Sequence, residues 1–224
     1  MFLHTGGVAH GDMNLWYSFG NLDRPGDVSA ASSFLVPMLE AYNMGQQLTF
    51  YFDTSASDLN YSSGFSSTAS FPIFRASEAN LLIAEAYARE GNLGSALTYL
   101  NNAIQYNDNM YSDSVAAYAP ADPAVSTQSA MLQTIFNEEY MSLFPEIEAF
   151  TFLRMVDYDI KYTTNGTTVQ LTPTTGKEFP QRLLYPSTEV EANPNTPPQT
   201  VSDLFKATSV NSAPALNNPW LEKV

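Results

Sequence analysis

The clearest pattern of apolar and polar positions lies between Ser77 and Glu90, where Leu81, Leu82, Ala84, Glu85 and Tyr87 recur with a helical period. Ser77 is placed to cap that helix, and Gly91-Asn92 to end it. A second helical face runs from Leu93 to Tyr106 through Ala96, Leu100, Ala103 and Ile104. So short a turn predicts two antiparallel helices, an αα-hairpin. The placement of Ala84 and Tyr87, followed by Ala96, Leu100 and Ala103, matches the tetratricopeptide spacing, although Asp108 stands where that repeat has proline. An ordinary helical hairpin is the alternative. On either reading the element is packing rather than chemistry.

Two more helices follow a polar stretch at 107–126. Ser126 or Thr127 caps one over about 127–144, with Met131, Leu132, Ile135, Phe136, Tyr140, Met141 and Phe144 on its apolar side. Pro145 suits the first turn of the next, which carries Ile147, Phe150, Thr151 and Arg154 and ends near Tyr158. Upstream, Ser33–Tyr42 reads as a short helix interrupted at Pro37, Gln47–Asp53 as a short strand, and Asp53–Ser70 as a loop. Beyond Asp159, turn residues such as Asn165-Gly166 and Thr175-Gly176 predict ordered coil and turns wrapped on the helices. The expected fold is therefore mainly α. It has a loop-rich segment at 1–74, a core of tetratricopeptide-like helical hairpins at 75–158, and a coil-rich C-terminal tail at 159–224.

Composition narrows the function. A hydrophobic fraction of 44% in 224 residues can furnish a core, so wholesale disorder is not expected. Only 14% of residues are charged, so Ser, Thr, Asn, Gln and Tyr must supply the polar surface. Such a surface suits uncharged ligands rich in hydroxyls or amides. The net charge of −14 repels polyanions and the few cations form no stripe, which argues against nucleic acid. With no cysteine there is no disulfide, thiolate metal site or thiol nucleophile. No run of about 18 apolar residues is present to span a membrane. The first residues, Met1 to Gly7, lack the basic and apolar regions of a signal peptide.

Catalytic constellations are thin. His4 and His10 lie in an irregular N-terminal stretch that would hold a metal poorly, so no metal or cofactor is expected. Glu138 and Glu139 are adjacent and point about 100° apart on a helix, a poor geometry for a shared acid/base pair. Glu148 and Arg154, six residues apart, fall on different faces; Arg154 is expected to pair with Glu138 or Glu139 across the hairpin. Asn107-Asp108-Asn109 with Asp113 lacks the glycine and terminal glutamate of a calcium loop. Binding chemistry is better supplied. Aromatics expected in loops include Trp16, Tyr17, Tyr61, Phe65, Tyr111 and Tyr118. Flat rings stack on the C–H faces of sugars while nearby amides and acids bond hydroxyls, so the candidate ligand-binding residues are Trp16, Tyr17, Asn14, Tyr61 and Tyr111.

Three blocks carry a family resemblance. The first has Arg75, Glu78, Ala84-Glu85-Ala86, Gly91, Ala96 and Asn102. The second, within Asn137–Arg154, has Glu148, Ala149, Phe150 and Arg154, and the third has Arg182, Tyr185-Pro186, Glu189 and Asn193. In this order they resemble the SusD/RagB family of outer-membrane nutrient-binding lipoproteins, in particular its SusD-like branch. Gly45-Gln46-Gln47 departs from the Asp-Pro-Arg common there, and family members are roughly twice as long, with a lipidated N-terminal cysteine. The chain is thus expected to be the C-terminal part of a longer exported protein.

The resemblance implies a non-catalytic protein on the outer face of the outer membrane, held only by a lipid anchor outside this chain. It would capture a glycan and deliver it to a SusC-like TonB-dependent transporter. Peptide capture on the same scaffold, or a cytosolic tetratricopeptide-like interaction scaffold, are the alternatives.

Overall fold

A computed structural model describes residues 38–39, 41–42, 44–53, 58–59, 62–64, 66–70, 72–144, 146, 148–173 and 178–206. The described chain is mainly α and forms two compact units, one reaching residue 174 and one after it.

The first unit is built around the expected hairpin. Helix α1 covers Gly45–Tyr51, α2 Ala76–Arg89 and α3 Leu93–Tyr111. In α2 the buried positions are Ser77, Leu81, Ala84 and Ala88, a single helical stripe of mostly small residues that lets α3 approach closely. Gly91 takes a left-handed φ of +79° in the turn, a conformation that costs glycine nothing. Asn92 then caps α3, its side chain accepting from the Ser95 backbone N–H at 3.1 Å. Ala96, Leu97, Leu100, Ala103 and Ile104 of α3 meet the α2 stripe, and Met131, Leu132 and Ile135 close the core from the next helix.

That helix, α4, spans Gln128–Ser142 and is capped by Thr127, whose hydroxyl accepts from Ala130 N at 3.2 Å. Its last six residues, Asn137 to Ser142, are all buried, so its C-terminal half is enclosed on every side. Helix α5, Glu148–Met155, buries Ala149, Phe150, Phe152 and Leu153, and Phe152 meets Phe136 of α4 edge to face.

Several sequence expectations need correction. Gln47–Asp53 is not a strand: Gly45–Tyr51 is helical, and only Phe52–Asp53 (β1) is extended, pairing with Asp58–Leu59 (β2). Gln47, Leu48 and Tyr51 bury one helical face, and this tertiary burial overrides the β-leaning composition. Ser77 does not cap α2; it is fully buried within the helix, and the N-cap residue is Arg75 with no side-chain cap bond. Helix α3 runs five residues past Tyr106, because Asn107 and Tyr111 continue its buried face. The stretch after Asp159 is not all coil. Lys161–Thr164 (β3) and Thr167–Gln170 (β4) form an antiparallel hairpin with Thr164 opposite Thr167. Its turn residues Asn165 and Gly166 have φ of 50° and 75°, the paired positive values of a type I′ turn. Ile160, Tyr162 and Leu171 of this hairpin are buried in the first unit. The expected helix at Ser33–Tyr42 lies mostly outside the described residues.

The second unit holds a short helix α6, Ser187–Ala192, and a 3₁₀ turn at Val201–Phe205. The turn begins with a capping box between Thr200 and Asp203. Neither element buries a side chain.

Candidate functional site: a buried arginine at the foot of the hairpin

The densest polar constellation among the described residues centres on Arg75, the extended residue just before α2. A cation there opposes the positive end of the helix dipole, so something else must hold it. Its Nη1 donates to Tyr111 Oη at 2.8 Å and to the Ser142 carbonyl at 3.2 Å, and Nη2 donates to Tyr51 Oη at 3.0 Å. Nε lies 2.7 Å from Glu146 Oε1, an ion pair whose N–H is not aligned on that oxygen. The two phenols share a hydrogen bond at 3.0 Å. Tyr51 also meets the edge of Phe144, with ring centroids 5.3 Å apart. One guanidinium thus joins the ends of α1, α3 and α4 to the segment leading into α5.

Two amides extend the network. Gln47 Nε2 donates to the Met141 carbonyl at 3.1 Å, and Asn107 Nδ2 to Ser142 Oγ at 2.8 Å. These bonds engage the Met141 carbonyl and the Ser142 hydroxyl, which the buried end of α4 could not offer to water.

Burial works against the charge on Arg75, but Tyr111, Tyr51 and Glu146 more than offset it, and the group is held protonated. Burial pushes the Tyr111 phenol well above its ordinary value, so it stays neutral and serves as a hydrogen-bonding post. Burial also raises Glu146 to about 7, with Glu148 and Glu78 adding to it against the pull of Arg75. Arg75 and Glu146 are 4% and 1% exposed, so this knot is closed to a ligand. What it can do chemically is hold helix ends together.

The glutamates of α4 are a second polar feature. Burial raises Glu138 and Glu139 to about 8, Asp108 adding to the first, and Glu85 and Glu78 to the second. The expected pairing with Arg154 does not occur: among the described residues no ion pair joins them. The Arg154 guanidinium lies 5.4 Å from the centroid of the Phe150 ring instead. The described residues contain no group of three or more His, Asp or Glu side chains placed to hold a metal ion.

Of the candidate ligand-binding residues, Tyr111 belongs to the closed knot. It ends α3 at 7% exposure, so its expected loop position is corrected. Tyr118 does lie outside regular structure but is half-buried, with its backbone tied to the side chain of Asn101. Trp16, Tyr17, Asn14 and Tyr61 lie outside the described residues, as do Phe65, His4 and His10. Sequence reasoning missed the roles of Arg75, Tyr51 and Glu146. The available signal was a cation placed directly before a helix whose first turn is acidic, at Glu78.

Comparison with protein-family models, curated proteins and solved structures finds no match to this chain. The functional reading therefore rests on the sequence blocks and on where they fall in the fold. The first block occupies α2, its turn and α3, and the second occupies α4 and α5. The third lies in the second unit, where Asn193 Nδ2 donates to Glu189 Oε1 at 2.6 Å. There Tyr185 exchanges two backbone bonds, at 2.8 and 2.7 Å, with the Gln199 side chain.

Proposed function

We propose that this chain is the C-terminal part of a SusD/RagB-type outer-membrane lipoprotein. It takes part in non-catalytic capture of an extracellular glycan for delivery to a SusC-like TonB-dependent transporter. The observation that carries this reading is the ordered set of three sequence blocks between Arg75 and Asn193. The fold supports it in two ways. Arg75 of the first block reaches Ser142 and Glu146 in the second, so the blocks act as one scaffold rather than as scattered matches. The α2–α3 hairpin, with small residues Ala84, Ala88, Ala96 and Ala103 at its interface, is what a tetratricopeptide-type repeat requires.

A low-charge, aromatic-rich composition favours a neutral, hydroxyl-bearing ligand, with Trp16, Tyr17, Asn14 and Tyr61 as the residues to contact it. The test is a panel of oligosaccharides and peptides offered to the natural protein that carries this chain. Saturable binding of an oligosaccharide class at micromolar to millimolar concentration is expected. Binding of peptides alone would transfer the proposal to peptide capture, and binding of neither would remove nutrient capture altogether.

A further inference from the structure

Carboxylates act on one another beside the arginine knot: Glu139 on α4 feels Glu85 and Glu78 of α2, and Glu146 feels Glu78 and Glu148 at the head of α5. Among the described residues, the cations that could neutralise them are already engaged. Arg75 spends its donors on Tyr51, Tyr111 and Ser142 and pairs with Glu146, Arg89 pairs with Glu85 at 2.7 Å, and Arg154 sits over Phe150. Glu139 is 3% exposed, and among the described residues no cation pairs with it and its Oε2 has no hydrogen-bond partner. About 100° around α4, Glu138 is 3% exposed and faces Asp108 of α3 together with the phenols of Tyr118 and Tyr42, again with no cation paired to it among the described residues. An ionised carboxylate enclosed without a counter-charge is strongly disfavoured, and taking up a proton is the available remedy.

We propose that the packing of α4 against α2 and α3 is proton-held: Glu139 on the α2 side and Glu138 on the α3 side keep it closed by remaining protonated, and it loosens as the medium becomes alkaline. The direction of the effect follows from linkage. These two carboxyls titrate near 4.5 in the unfolded chain, while burial raises Glu138 and Glu139 to about 8. Between these values the folded chain binds more protons than the unfolded one. The stabilisation is therefore full below about pH 4.5 and is lost as pH rises through about 8.

The experiment is thermal melting of the whole chain from pH 5.5 to 8.5, with Glu139→Gln as a permanently neutral mimic. Glu90→Gln, on the exposed end of α2, controls for removing one charge from an acidic protein. The parent Tm is expected to fall by about 5 °C or more across this range, the fall persisting in Glu90→Gln and shrinking to roughly half in Glu139→Gln. Parallel curves for the parent and Glu139→Gln, or a parent Tm that stays level or rises, would overturn the proposal. Should Glu139→Gln not fold, the carbon-13 carboxyl resonances of the parent decide the matter. A Glu139 midpoint above pH 5.5 supports the proton-held packing, and one below it refutes it.

Discussion

At the scale of single residues, Arg75 dominates. Its guanidinium supplies donors to two phenols and a helix-terminal carbonyl, all buried, and its charge faces Glu146. Removing it leaves those acceptors and a buried acid without a partner, which is worse than never having built the pair. Arg75→Ala is therefore expected to lose about 3–5 kcal/mol in urea denaturation. Arg75→Lys should recover only part, since a single ammonium cannot bridge the same fork of partners. Tyr111→Phe removes one hydroxyl and should cost about 1–2 kcal/mol while leaving ligand binding intact. A weakened affinity at unchanged stability would return Tyr111 to the binding surface. Little of this was legible in the sequence: a cation directly before an acidic first turn marks an unusual position, but gives no sign that the residue is buried or what it bonds. Tyr111 misled for a related reason: the run Asn107-Asp108-Asn109 before it looks like a turn, yet Asn107 spends its amide on Ser142 inside the fold.

At the scale of elements, periodicity told most where one face is buried. Helix α2, the turn, and the starts of α3 and of α4 at Thr127 agree with the pattern to within a residue or two, while α3 overruns its expected end by five residues; Leu81, Leu100 and Met131 lie where a helical period puts them. It failed at Gln47–Asp53, where a short run of Leu, Thr and aromatics has no periodicity long enough to distinguish helix from strand. It also stopped short of the Asn165-Gly166 hairpin, whose turn signal was visible but whose flanking strands are half threonine and show little apolar alternation. Two substitutions test how the main hairpin is held. Leu100 is fully buried, so Leu100→Ala should cost about 2–5 kcal/mol through the cavity it leaves. Gly91→Ala meets nothing within 4 Å, so any cost comes from the backbone alone. At φ +79° that cost should be about 1–2 kcal/mol, read from the same denaturation midpoints. A neutral Gly91→Ala would mean that the turn relaxes to another conformation.

At the scale of the whole molecule, what matters is the outer side of α2, turned away from the Leu81–Ala88 stripe. Ala76, Ala79, Leu82, Ile83 and Ala86 follow one another around that side, and the charge on it is the exposed Glu90 at the end of the helix. Leu82 and Ile83 are 40% and 41% exposed, and Ile73 and Phe74 just ahead of the helix are 84% and 59% exposed. Charge elsewhere opposes association, because each copy carries −14 and repels the next. The two effects differ in their response to salt: added salt screens the repulsion within about 10 Å at 0.1 M and leaves apolar contact unscreened. The chain is therefore expected to sediment as a mixture whose heavier species grow with concentration and with salt. Replacing Leu82 and Ile83 together by Gln should return it to monomer, because the apolar strip would be cut at its middle. Were the parent a monomer at every concentration in high salt, this side of α2 would be too small or too divided to drive association. Its apolar residues would then be scattered surface of the ordinary kind.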